Sequence, residues 1–262
     1  MDRILDLETF PLDRPDAPEG AALIVRCRQD LAGDGMFNLS GLVRPDALAA
    51  CLLEIEPVLA RDAYEHRQTH NIYFRDQIDG LSEDHPALKK SETVNRKICA
   101  DQIPGSTLMQ IYEWPALIRF LSDVMEMPAL YPMADPLARV NVMTYREGEA
   151  LNWHFDRSEF TVTLLLAAPE AGGEFQYRSN LRSEDDPNYD GVARLLKGED
   201  DALQTVPLSP GSMNVFKGKN TAHRVSPVQG ALPRTIAVFS YFETPGVLFS
   251  DRDRQRFYGR TA

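Results

Sequence analysis

The chain has 262 residues, 43% of them hydrophobic and 26% charged, with a formal net charge of −11. That is the composition of a soluble globular protein long enough for one large domain, and so acidic a surface repels phosphate backbones and anionic lipid, which argues against nucleic acid and membrane as partners. No run approaches the roughly 18 apolar residues of a membrane-spanning helix, and Met1 to Asp6 lacks the apolar core of a signal peptide, so a cytoplasmic location is expected. Cys27, Cys51 and Cys99 are scattered without metal-type spacing and read as reduced thiols at apolar positions.

Residues 1 to about 20 are polar, rich in Pro and Asp and without a period, which suggests an arm lying across the domain. Ala21 to Leu31 places Leu23, Ile24, Cys27 and Leu31 at helical spacing, and Gly33-Asp34-Gly35 ends it. Met36 to Val43 reads as a strand. Pro45 opens a helix in which Leu48, Cys51, Leu52, Ile55, Val58 and Leu59 form one stripe. From His66 to Ser106 the pattern is irregular and predicts a long functional loop that carries Asn71 to Phe74 and Arg96. His66 and His70 stand four apart with no third ligand and read as exposed or loop histidines; His85, before Pro86, reads as structural. Pro115 starts another helix.

After Pro136 the texture changes to short extended segments at 139–145, 152–156, 160–168, 174–177, 212–216, 223–225 and 235–242. Turn signals at Gly148, Gly172-Gly173, Pro210-Gly211, Gly218 and Gly230 separate them. Many short strands with Gly and Pro turns predict a sandwich or closed double sheet. The charged stretch 178–204, with one short helix at 189–196, reads as an insertion between strands. The expected organisation is a single domain over 1–262. Residues 1–135 form a helical flank and site loop, 136–248 the β core and 249–262 a C-terminal tail or lid.

His154 and Asp156 are one residue apart in an extended segment, so their side chains leave the same face and converge. His223 stands in a second strand, 69 residues on. Two His and one carboxylate on one face of an octahedron form the triad of non-heme Fe(II) oxygenases. Arg234 follows His223 by 11 residues and offers a planar, permanently charged fork for a carboxylate.

Tyr145-Arg-Glu-Gly148, His154-Phe-Asp156, Gly172-Gly-Glu-Phe175, Pro210-Gly-Ser212, His223-Arg-Val225 and Arg234, in that order, resemble the Fe(II)/2-oxoglutarate-dependent oxygenases of the prolyl-hydroxylase layout. Within them the chain is most similar to the bacterial branch of free-amino-acid hydroxylases and lysine halogenases. The resemblance spans roughly residues 70 to 260. It implies a mainly β fold, a double-stranded β-helix of the jelly-roll, cupin-like kind with flanking helices. It further implies Fe(II) held by His154, Asp156 and His223, 2-oxoglutarate anchored by Arg234 with Tyr145 as helper, and O2 as oxidant.

In halogenases of the branch a small residue replaces the carboxylate ligand, so Asp156 predicts hydroxylation of a small substrate, a free L-amino acid. The branch resemblance points to Arg96 for the substrate carboxylate, with Ser240 and Tyr258 near it. Arg157 is an unexpected neighbour for a basic substrate; Glu159 and Asp135 are the candidates to restore an acidic end. The alternatives are the same chemistry on a peptide, protein or carrier-tethered residue, halogenation, or a non-enzymatic protein that binds a small acid. A homodimer is compatible with the sequence.

Overall fold

The structure is a computed structural model describing residues 1–262. Its helices are α1 (Pro18–Gly33), α2 (Pro45–Asp62), α3 (Thr107–Tyr112), α4 (Pro115–Val124), α5 (Tyr189–Lys197) and α6 (Asp251–Tyr258). Its strands are β1 (Met36–Leu39), β2 (Tyr64–His70), β3 (Ser91–Cys99), β4 (Tyr131–Pro132), β5 (Val140–Tyr145), β6 (Leu151–His154), β7 (Thr161–Ala167) and β8 (Ala171–Gly172). They continue with β9 (Phe175–Arg178), β10 (Gln204–Val206), β11 (Met213–Phe216), β12 (Ala222–Val225), β13 (Val228–Gln229), β14 (Arg234–Phe239) and β15 (Tyr241–Phe242).

Prolines at the first turn open α1, α2 and α4, where the missing N–H costs nothing. Ala47, Cys51 and Ile55 form the fully buried stripe of α2. These helices cover a seven-stranded sheet of order β1-β11-β7-β14-β5-β3-β2. Strand alternation sends Val140 and Val142 of β5, Val162, Leu164 and Leu166 of β7, and Ala237 and Phe239 of β14 into the core beneath the helices. The N-terminal arm contributes Leu5, Leu7, Phe10 and Leu12 to this core, so it is an integral wall rather than a polar strap.

The alternate residues of the same strands face a four-stranded sheet of order β10-β9-β12-β6. Phe216 of β11 stacks against Phe175 of β9 with ring centroids 5.0 Å apart, and Thr93 Oγ1 of β3 accepts from the Asn152 N–H of β6 at 3.1 Å. Two facing antiparallel sheets with helices on the larger one make the double-stranded β-helix expected above.

The region 66–106 departs from expectation. It holds β2 and β3, two full strands of the large sheet, in place of one long loop; the loop proper runs between them. His66 and His70 lie on β2 and are 7% and 6% exposed, so they are interior residues and not exposed ones. His85 accepts from the Ala87 N–H at 3.2 Å and caps the short turn Pro86–Leu88. The charged stretch 178–204 holds α5, which is capped by Asn188, whose side chain accepts from the Gly191 N–H, and ends at Gly198 in the left-handed region.

Candidate active site

β6 and β12 are antiparallel neighbours with His154 opposite His223. The residues flanking the ligands point the other way: Phe155 and Ala222 are buried with Leu181, Val192 and Leu195 of the insertion in a separate apolar cluster. Anchoring those neighbours outward turns His154, Asp156 and His223 inward, which links the insertion's packing to the geometry of the site. The strand ends at His154, and Asp156 follows it with its backbone N–H donated to Gly218 O at 3.0 Å.

One Asp156 oxygen lies 3.3 Å from His154 Nε2 and the other 3.4 Å from His223 Nε2. One ligand atom from each of the three residues lies within 4.8 Å of the others. His154 Nδ1 donates to Asn152 O at 2.8 Å and His223 Nδ1 to Thr221 O at 3.0 Å. Those bonds place a proton on Nδ1 of each ring, so that Nε2, once its own proton is displaced, directs a lone pair at a common point, the arrangement a metal-ligating imidazole requires. The Thr161 hydroxyl donates to Asp156 Oδ2 and orients the carboxylate. Gly218 has to be glycine here: a Cβ would lie 2.4 Å from that same oxygen.

Burial raises the Asp156 carboxyl, but the His223 charge and hydrogen bonds from both imidazoles outweigh it and hold the group well below the usual carboxylate range. Burial lowers His223, yet the adjacent Asp156 charge leaves it raised; His154 is lowered by burial and by the charge of His223. A carboxylate kept anionic between two inward Nε2 atoms fits a divalent cation.

Arg234 opens β14 directly opposite Tyr145 of β5. It is 2% exposed, and its Nη1 has no hydrogen-bond partner. Burial lowers its pKa to about 10, so it remains a cation, and burial pushes the Tyr145 hydroxyl up to about 12. That hydroxyl has only the Met143 sulfur at 3.9 Å. An orphaned guanidinium nitrogen beside an under-used phenol is the donor set for a carboxylate. Gly173 permits this depth, since a Cβ there would meet Pro169 Cγ at 2.8 Å and Arg234 Cδ at 3.2 Å.

The other expected site residues are placed differently. Arg96 faces away from the barrel interior and is already neutralised by Glu65 at 2.6 Å and by Glu149, so it is not free for a substrate carboxylate. Arg157, with 70% of its side chain exposed, pairs with Asp253 of α6 at 3.3 Å. Ser240 follows β14, its carbonyl accepting from the Tyr112 hydroxyl and the Met133 N–H. The Tyr258 hydroxyl donates to Asn141 Oδ1 at 2.9 Å inside the barrel. Glu159 lies on the surface beside Lys219.

Asp135 is fully buried and accepts from Arg254 Nε and from the N–H groups of Leu137, Ala138 and Phe249, which docks α6. It offers no acidic end to a substrate. Asp135→Ala leaves Arg254 Nε and those N–H groups without their acceptor, so unfolding free energy should drop by about 3–5 kcal/mol; a denaturation midpoint indistinguishable from wild type would refute this assignment.

Four contributors escaped the sequence reading. His70 and Phe74 are stacked at 4.4 Å, and each ring stands edge-on to His154 at 6.4 Å. Phe74 adopts φ 55°, a left-handed conformation uncommon for a bulky residue and frequent at functional sites. Phe216 lies against His223 at 4.7 Å, and Thr161 orients Asp156 as described. Only the Asn71–Phe74 segment gave a signal, as an aromatic stretch in a polar context.

The family model described as "Halogenase D" matches residues 20–248. No curated protein matches the sequence. Among solved structures, an oxidoreductase of the 2OG-Fe(II) oxygenase family from Burkholderia pseudomallei is similar at 17% identity and TM-score 0.55, covering 86% of this chain and 92% of its own. A Pseudomonas putida prolyl-4-hydroxylase is similar at 14% identity and TM-score 0.51, covering 82% of this chain and 97% of its own. HygX from Streptomyces hygroscopicus, solved with nickel, 2-oxoglutarate and hygromycin B, shares 13% identity at TM-score 0.57, covering 82% of this chain and 86% of its own. The fold is thus that of the 2OG-Fe(II) oxygenases.

Proposed function

Since the chain belongs to the Halogenase D family, we propose that it is an Fe(II)/2-oxoglutarate-dependent oxygenase that hydroxylates an unactivated C–H bond of a small substrate, a free L-amino acid. The observation that carries this reading is the inward cluster of His154, Asp156 and His223 together with the orphaned Arg234 guanidinium. Bound at these residues, iron and 2-oxoglutarate would supply the oxidising power, with O2 consumed and succinate and carbon dioxide released.

The protein's part is geometry and exclusion of water. His154 and His223 present Nε2, and their Nδ1 bonds to Asn152 O and Thr221 O keep both rings from rotating. Asp156 completes the ligand set and occupies the position that a halide would need, which favours oxygen transfer over chlorine transfer. Arg234 and Tyr145 would hold the distal carboxylate of the cosubstrate. Ile236 and Val238, which follow Arg234 at alternate positions on β14, stand opposite Met143 and Asn141 and line the way toward Ser240. A cleft of about 200 Å³ opens at His70 and Phe74, beside His154.

The test is to load purified protein anaerobically with Fe(II), 2-oxoglutarate and a panel of L-amino acids in chloride buffer, then admit oxygen. A product heavier by one oxygen atom, formed together with succinate, is expected. A chlorinated product would overturn the hydroxylase reading, and no turnover across the panel would overturn the free amino acid as substrate in favour of a peptide or tethered residue.

A further inference from the structure

Lys97 is a buried cation without an anion. It is 7% exposed on β3 and stands opposite Met143, which stands opposite Ile236, one step along the barrel wall from the Tyr145–Arg234 pair. Its Nζ lies 5.9 Å and 5.8 Å from the ring centroids of Phe257 and Tyr258 on α6. No carboxylate lies within 4 Å of it, and burial lowers its pKa to about 8. Next to it the sheet leaves two more polar atoms unpaired: His66 Nδ1 and the Oδ1 of Asn95, which faces His66 across the β2–β3 ladder. An unpaired ammonium in the interior is a ready donor to an anionic ligand, while Asn95 Oδ1, an acceptor, is suited to a donor group on the same ligand.

This corner reaches toward the site through α6. The Phe257 ring is 6.1 Å from that of His66 and 5.8 Å from the guanidinium of Arg157, the residue after Asp156. Arg256, before Phe257, lines the cleft at His70 and Phe74 with Arg75, Lys90 and Asp76. Lys90 is neutralised there by Asp76 at 2.6 Å, whereas Arg75 and Arg256 have no carboxylate within 4 Å. A chain of net charge −11 therefore turns a cationic face to its own cleft.

We infer that the substrate is an anion whose carboxylate is held by the Lys97 ammonium beside His66 and Asn95, with Arg75 and Arg256 at the mouth. The site then selects an acidic amino acid or small dicarboxylate over a basic amino acid. The inference rests on the oxygenase reading and adds the substrate class to it. A buried ammonium gives a charge-assisted bond to a carboxylate, and exposed cations at a mouth raise the local concentration of anions. A lysine side chain entering the same space would meet Lys97 as a like charge with no acid between them.

Calorimetric titration of protein loaded anaerobically with Fe(II) and saturating 2-oxoglutarate tests this, using L-aspartate, L-glutamate, L-leucine, L-lysine and glutarate as probes. An acidic probe should bind at least about tenfold tighter than L-lysine or L-leucine. Lys97→Met should weaken that probe by about tenfold to a hundredfold. The thermal midpoint of the variant should stay level or rise, because a buried unpaired charge has been removed; a purely structural lysine predicts the reverse, a lower midpoint with unchanged affinities.

Affinity for the acidic probe should fall as pH rises through about 8. The titratable and charged groups facing Lys97 are Cys99 on its own strand, Tyr64 and His66 on β2, and Arg256 and Tyr258 on α6. His66 is pushed down to about 3 by burial and by the Lys97 charge, and burial pushes Cys99 up to about 11, so neither accounts for a change there. Tightest binding of L-lysine or L-leucine would overturn the inference and leave the hydroxylase reading standing. Lys97-dependent binding of glutarate but of no amino acid would uphold the anion site and overturn the free-amino-acid part of the proposed function, and silence across all probes would overturn both.

Discussion

Asp156→Ala should abolish turnover while leaving the fold intact. The carboxylate sits between two imidazoles with Nε2 contacts of 3.3 and 3.4 Å, and no other acid reaches the cluster. Losing a partner that merely orients a metal ligand typically costs about 10–100-fold; losing the ligand itself should exceed the upper end of that range. The side chain is 19% exposed and its main-chain N–H stays bonded to Gly218 O, so far-UV circular dichroism should be unchanged. Oxygen-dependent succinate formation is the measurement; a variant within tenfold of wild type would show that Asp156 is not a ligand.

Arg234→Ala is expected to have the second-largest effect, on cosubstrate affinity. The guanidinium is buried at the head of β14 with Nη1 unpartnered, opposite Tyr145. A charge-assisted bond to a carboxylate is worth about 1.5–3 kcal/mol, so the apparent affinity for 2-oxoglutarate should fall about tenfold to a hundredfold. The same change removes an incompletely paired buried charge, so a loss of affinity without gross unfolding is the pattern to look for. Dependence on 2-oxoglutarate concentration that matches wild type would place the anchor elsewhere.

The centre of this site was legible from spacing because a metal triad is a local constraint. His154 and Asp156 must share a side of one segment, and His223 must come from a neighbouring strand; both requirements leave marks in the sequence. The helices with a proline at their first turn were legible for the same kind of reason. β2 and β3 were not. Tyr64–His70 is an edge strand whose outward residues, Glu65, Arg67 and Thr69, are charged or polar, and its inward His66 and His70, like Thr93, Asn95 and Lys97 on β3, line a polar interior. A strand that faces water on one side and a binding cavity on the other shows no apolar alternation, so a periodicity argument reads it as loop.

The same blindness moved the expected cation by one residue. In a strand, neighbouring side chains face opposite ways, and placing β3 decides between Arg96 and Lys97. Arg96 falls on the face where Glu65 and Glu149 neutralise it, and Lys97 falls inside without a partner. Asp135 shows a related limit: only the tertiary structure reveals that its carboxylate is consumed by Arg254 and three backbone N–H groups.

Anaerobic equilibrium binding of Fe(II) and 2-oxoglutarate to the wild-type chain, Asp156→Ala and Arg234→Ala tests the central claim most directly. The wild type should take up one iron per chain and bind 2-oxoglutarate tightly only with the metal present. Asp156→Ala should bind iron more weakly by at least about tenfold to a hundredfold in chloride-free buffer, and Arg234→Ala should keep the iron but bind the cosubstrate about tenfold to a hundredfold more weakly. Unaltered iron binding by Asp156→Ala together with unaltered 2-oxoglutarate binding by Arg234→Ala would contradict the assignment.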